Sequence, residues 1–190
     1  DSKAFFSEFA VGTSSIIPSI VSALGVAHAL WDSAIDFNSL NKHIVLSFFD
    51  METYGFSGSK RFVKDILENI KCKQVALNGT DSCKVYSADC VNPCFPSMDF
   101  QNLSFDKIST ILEYDSLGMI SSNDDPTYFL HSYHDDSEAA KVLFDYSANS
   151  MDSANIKYAR SSSEFGIPPS SSMSFLAKNA LIDAVIISDF

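Results

Sequence analysis

Positive charge is scarce in this sequence. Thirteen Lys+Arg stand against 24 Asp+Glu, a net charge of −11 at pH 7. A surface of that sign repels phosphate backbones and anionic headgroups, which argues against nucleic acid as a partner. Glycine is sparse too, seven in 190 residues. No G-x-S-x-G elbow, P-loop or dinucleotide-binding glycine pattern occurs, so serine-hydrolase and nucleotide-binding readings have no foothold. Long apolar runs are missing. The nearest approach, residues 9–31, carries no Asp, Glu, Lys or Arg, but Thr13, Pro18, His28 and four Ser interrupt it. A spanning helix needs about 20 predominantly apolar residues. A leader is missing as well: the chain starts at Asp1 without a basic segment followed by an apolar one, as expected for part of a longer precursor.

What is present is core-forming material. Hydrophobic residues make up 46% and aromatics 13%, with 16 Phe. Such a chain can offset its conformational entropy and is expected to fold, as all or part of one domain. The four cysteines, Cys72, Cys83, Cys90 and Cys94, crowd into one segment with Pro93 and Pro96. Their C-x10-C-x6-C-x3-C spacing lacks paired C-x2-C knuckles, so two disulfides in a loop excursion over about residues 72–105 fit better than a zinc site. Three pairings remain open. The glycosylation acceptors Asn78-Gly79-Thr80 and Asn102-Leu103-Ser104 lie in that excursion, and together with the cysteines they point to the secretory pathway.

Periodicity predicts alternating elements. Ile17, Ile20, Val21, Leu24, Ala27 and Trp31 recur at helical spacing. They predict a buried helix capped by Ser14 or Ser15, with Pro18 in its first turn. Residues 43–49 (HIVLSFF) read as a strand buried on both faces. Phe62, Val63, Ile66, Leu67 and Ile70 mark a helix over 59–70. Residues 108–114 read as a strand broken by Gly118, 134–150 as a helix with Asp135, Asp136 and Glu138 at its start, 170–178 as a helix, and 181–188 (LIDAVIIS) as a buried strand. The alternation predicts an α/β fold, a three-layer sandwich around a mostly parallel central sheet, without an internal domain boundary. His131 and His134 with Asp135 and Asp136 are read as a polar turn before a helix rather than a metal cluster, and His28 and His43 as ordinary helix and strand-edge residues.

In parallel sheets chemistry gathers at the carboxyl ends of strands. After 43–49 the sequence continues Asp50-Met51-Glu52-Thr53-Tyr54-Gly55-Phe56-Ser57-Gly58-Ser59. With Phe48 and Phe49 this resembles the Phe-Phe-x-Gly-Glu-Glu-x-Gly-Leu-x-Gly-Ser motif of the zinc aminopeptidases of the transferrin-receptor-like fold. The resemblance places Glu52 at that family's general base and Thr53 at a zinc ligand. Glu113-Tyr114-Asp115-Ser116-Leu117-Gly118 is similar to a second motif and puts Asp115 at another ligand position, and residues 12–19 put Ser15 where the metal-bridging Asp would stand. Neutral hydroxyls at Ser15 and Thr53 remove two anionic donors from a site that must balance two divalent ions and lower the pKa of a bound water. No metal and no cofactor is therefore expected. Glu52 then has two readings. It can receive a cationic group such as a peptide amino terminus, or it can accept N–H bonds from its own turn.

A second resemblance combines these features. Asp1-Ser2-Lys3-Ala4-Phe5-Phe6, residues 48–53 with Gly58-Ser59-Lys60-Arg61, and Pro168-Pro169-Ser170-Ser171 through Phe175-Leu176 to Asn179 resemble the nicastrin family, aminopeptidase-like subunits without the zinc site. The resemblance implies the central part of the large lobe of a single-pass type I membrane glycoprotein, lumenal or extracellular, with its transmembrane helix beyond Phe190. It implies presenilin, the anterior-pharynx-defective subunit and the presenilin-enhancer subunit as partners, and type I membrane proteins as substrates that it recruits or sterically gates. It also implies Glu52, Phe56 and Ser59 as substrate-binding positions. The family's Asp-Tyr-Ile-Gly-Ser corresponds here to Gly55-Phe56-Ser57-Gly58-Ser59, without the acidic and phenolic groups. The competing expectation is a divergent, secreted zinc aminopeptidase that draws further ligands from outside this segment.

Overall fold

The computed structural model describes residues 13–67, 103–118, 127–149, 157–160 and 166–189. The four cysteines and both glycosylation acceptors, Asn78 and Asn102, lie outside the described residues, and of the expected excursion only residues 103–105 are described. Helices α1 (Thr13–Asp32), α2 (Ser57–Leu67), α3 (Glu138–Asn149) and α4 (Ser172–Leu176) accompany strands β1 (Thr110–Tyr114), β2 (Thr127–Ser132), β3 (Lys157–Arg160) and β4 (Asp183–Ser188). The fold class is α/β, as expected. The sheet has the order β1-β4-β2-β3. β1 runs parallel to β4 and β3 parallel to β2, while β2 and β4 are antiparallel. Two strands thus point each way, and the sheet is mixed rather than mostly parallel.

β4 and β2 are the inner strands, and the sequence of β4 explains its place. Residues 184–188 (AVIIS) are all buried, as a strand covered on both faces requires. Its alternation divides the core. Ile182 and Ala184 face Val63 and Ile66 of α2, Phe175 and Leu176 of α4, and Phe105. Val185 and Ile187 face Leu130, Leu117 and Ala140 of α3. Four phenylalanines tie the first cluster together: Phe49, Phe62 and Phe105 each lie 6.3 Å or less, centroid to centroid, from another ring of the group that includes Phe175. α3 is capped by Ser137 Oγ, which accepts from Ala140 N at 3.0 Å, and by Asp183 Oδ2, which accepts from Ala139 N at 3.0 Å. Both carboxylate and hydroxyl meet N–H groups that the helix leaves open.

Three expectations are corrected. α1 is not a buried helix: Ile17, Val21 and Leu24 are more than half exposed, and Trp31 is 84% exposed. Its apolar residues are real, and one contact that ties the helix to the sheet is polar, the Ser19 hydroxyl donating to the backbone oxygen of Asp115 just after β1. It starts at Thr13, which places Pro18 inside the helix rather than in its first turn. Residues 43–49 form no strand; Ile44, Val45, Leu46 and Phe48 are exposed, and only Phe49 packs on the core. Apolar, β-branched composition is not sufficient for a strand, which also needs a partner edge for its backbone groups. The run nevertheless starts beside β1, because Lys42 Nζ donates to Ser109 Oγ at 2.6 Å. Finally, His131 belongs to β2 rather than to a turn. It stands opposite Ile186, and its Nε2 pairs with Ser188 Oγ at 2.8 Å. His134 Nε2 instead meets the backbone oxygen of Ala180 at 2.7 Å.

Candidate functional site

The turn between residues 50 and 57 is tightly folded by its own backbone. Asp50 Oδ1 accepts from Met51 N, Phe56 N donates to Glu52 O at 2.9 Å, and Ser57 N donates to Met51 O. Met51, Gly55 and Phe56 all take positive φ, between 59° and 71°. For Gly55 that conformation is free, whereas Met51 and Phe56 are strained in it. Gly58 is required by space. A Cβ there would lie 2.1 Å from the backbone oxygen of Asp50 and 2.9 Å from Glu52 Oε1. The close approach lets the Glu52 carboxylate reach the first turn of α2.

Glu52 uses both oxygens inside the molecule. Oε1 accepts from Ser59 N at 2.8 Å, and Oε2 accepts from Ser171 Oγ at 2.6 Å. One carboxylate therefore joins the N-terminus of α2 to that of α4. Of the two readings open to Glu52, the intramolecular one describes these contacts, and they extend beyond its own turn. Ser59 is 0% exposed, and its hydroxyl pairs with Ser174 Oγ of α4 at 2.8 Å. Buried there, Ser59 acts behind the surface and not upon it. Phe56 is half-buried and Thr53 exposed.

A second carboxylate, which the sequence reading passed over, completes the arrangement. Glu113 of β1 lies with Ile111 on the face of the sheet that meets α2 and α4. Its Oε1 accepts from Ser171 N at 2.9 Å, and its Oε2 accepts from Ser172 N at 2.9 Å and from Ser172 Oγ at 2.5 Å. Burial pushes its carboxyl above the ordinary carboxylate range. The bonds from Ser172 and Ser171 act in the opposite direction, and Asp115 adds a smaller upward push. The signal available in the sequence was an acidic residue at a core-facing position of a strand, which calls for partners.

Of the positions matched to zinc ligands, Asp115 follows β1, and its backbone is fixed from both sides. Its N–H donates to Ile187 O at 3.0 Å, and its oxygen accepts from Ser19. Ser15 lies in α1, but its side chain is outside the description. Among the described residues no group of three or more His, Cys, Asp or Glu stands where it could hold a metal ion.

Together these features define an α/β lobe in which one carboxylate, Glu52, ties two helix ends to each other. Comparison with known proteins gives the family. A family model described as the nicastrin large lobe matches residues 1–190. Nicastrin of Dictyostelium purpureum is 30% identical over 196 residues, covering 100% of this chain and 28% of its own. Nicastrin of Arabidopsis thaliana is 30% identical over 194 residues, covering 100% of this chain and 24% of its own. The crystal structure of the γ-secretase component nicastrin superposes with a TM-score of 0.76 at 30% identity, over 100% of this chain and 32% of that one. The chain belongs to the nicastrin family. It spans about a quarter to a third of the length of these relatives.

Proposed function

We propose that this chain is part of the non-catalytic ectodomain of a γ-secretase subunit, which recruits or sterically gates type I membrane proteins and stabilises the intramembrane protease. In this reading the lobe is an aminopeptidase-like three-layer sandwich without zinc. It sits on the lumenal or extracellular side of a single-pass type I protein whose membrane helix lies outside this segment. Presenilin supplies the proteolysis, and the anterior-pharynx-defective and presenilin-enhancer subunits are its other partners. Family membership supports the assembly. What supports the non-catalytic reading is the donor set that the motif offers: neutral hydroxyls at Ser15 and Thr53 stand where anionic zinc ligands are needed. Glu52 then has no metal-bound water to deprotonate, and its oxygens accept from Ser59 and Ser171 instead. Glu52 then serves recruitment by holding the turn that presents the half-buried Phe56, with Ser59 fixed behind it.

The test is zinc content and aminopeptidase turnover of the complete purified ectodomain with zinc added, beside co-purification with presenilin. The expected result is no stoichiometric zinc, no turnover and retained co-purification. Bound zinc with turnover that disappears in Glu52→Gln would establish the divergent aminopeptidase instead.

A further inference from the structure

Ser171 stands at the N-cap position of α4 and makes no side-chain cap bond to its own helix. The reason is visible in its neighbours. Glu113 supplies the cap from outside, accepting the N–H groups of both Ser171 and Ser172. That leaves the Ser171 hydroxyl to donate to Glu52. A serine at a helix start ordinarily turns its oxygen toward the open N–H groups of the first turn. Here the task is divided: Glu113 caps the helix, and Ser171 reaches across to the other carboxylate.

We propose that Glu113 is a positioning residue for Glu52, acting through Ser171: by capping α4 it fixes the serine hydroxyl that holds the Glu52 carboxylate against α2. Met173 N and Ser174 N already donate to the backbone oxygens of Ser170 and Ser171, so what the loss of Glu113 frees is the backbone of Ser171 and Ser172 itself. The start of α4 is then no longer fixed on β1, and the Ser171 hydroxyl leaves Glu52. Glu52 then keeps only Ser59 N, and the turn over residues 50–57 loses its tie to α4. The relay is directional. Loss of the Ser171 hydroxyl removes the tie to Glu52 but leaves the Glu113 cap in place, because the cap uses the Ser171 backbone.

The functional consequence rests on the recruitment reading above, so the test separates the two. In the full-length protein within its assembled complex, amide exchange at Ser59 reports the Glu52 bond directly. Glu113→Gln and Ser171→Ala are each expected to speed exchange at Ser59 by about tenfold, the scale of one hydrogen bond to a charged group. The double variant is expected to match the single ones rather than multiply them. Exchange at Ser172 should rise in Glu113→Gln and stay near wild type in Ser171→Ala, which a general loosening of the lobe would not produce. Glu113→Gln exchange confined to Ser171 and Ser172, with Ser59 unchanged, would overturn the relay, as would multiplicative effects. Substrate KM in the same variants is read separately. A rise in KM in step with Ser59 exchange supports recruitment through this turn, whereas an unchanged KM with faster exchange keeps the relay and sinks the recruitment role of Glu52.

Discussion

At the scale of single residues, the carboxylates explain more than their motif does. Glu52 was legible in the sequence because its Phe-Phe and Gly-Ser surroundings match a known pattern, but that pattern could not say where its oxygens point. Glu113 is in the sequence only the first residue of the segment that holds Asp115, and without the fold nothing places it at the start of α4. Its raised pKa has a definite consequence. The folded state binds the proton more tightly than the unfolded state does. Glu113 therefore contributes stability that is fully present below the ordinary glutamate value of about 4.5 and is lost as pH rises through the raised folded value. In the complete ectodomain, urea midpoints between about pH 4 and pH 7 should show wild type losing stability relative to Glu113→Gln as pH rises. Parallel curves would show that burial does not govern this carboxyl. Gly58 makes a sharper case. Gly58→Ala places a methyl into the Asp50 carbonyl, and a steric conflict with backbone has no rotamer that relieves it. A loss of about 3 kcal/mol or more in stability is expected from the same denaturation experiment, and a loss under about 1 kcal/mol would mean that the turn can open.

Between elements, α2 and α4 meet through a buried polar pair, Ser59 with Ser174, set among Val63, Ile66, Phe175 and Leu176. Removing the Ser174 hydroxyl leaves Ser59 Oγ only its 3.3 Å bond to the backbone oxygen of Phe56, whereas removing both hydroxyls leaves two methyl groups that suit the apolar setting. Ser174→Ala is expected to cost about 1 to 2 kcal/mol. The double variant with Ser59→Ala should cost less than the sum of the single ones, and a double-mutant cycle in urea checks this. Additive losses would place the hydroxyls in separate roles. These helices were readable because their apolar spacing is strong, and β4 was readable because an unbroken apolar run bounded by Asp183 and Asp189 suits a central strand. β2 and β3 were not. Thr127–Ser132 carries a histidine and three hydroxyl residues, and Lys157–Arg160 is four residues with a cation at each end. β2 is paired by β4 and β3 in turn by β2, which their own composition does not announce. Residues 43–49 show the converse, a strand-like composition without a ladder.

For the molecule as a whole, the core and the apolar surface lie apart. Both faces of β4 are closed by helices, yet Ile17, Val21, Leu24 and Trp31 recur at spacings of 4, 3 and 7 along α1 and are exposed, as are Ile44, Val45 and Phe48. Folded chains seldom leave contiguous apolar patches larger than a few hundred Å² facing water. The 190-residue chain on its own should therefore bind an apolar-surface dye and self-associate, even though its net charge of −11 works against association. Val21→Gln with Leu24→Gln should lower dye binding and self-association while changing the unfolding midpoint little, by about 0.5 kcal/mol at most, because neither side chain belongs to a packed cluster. A large destabilisation would instead show that α1 anchors the fold through these side chains. In that event Ser19 and Asp115 would be only part of its attachment, and the burial expected from the helical spacing would be restored.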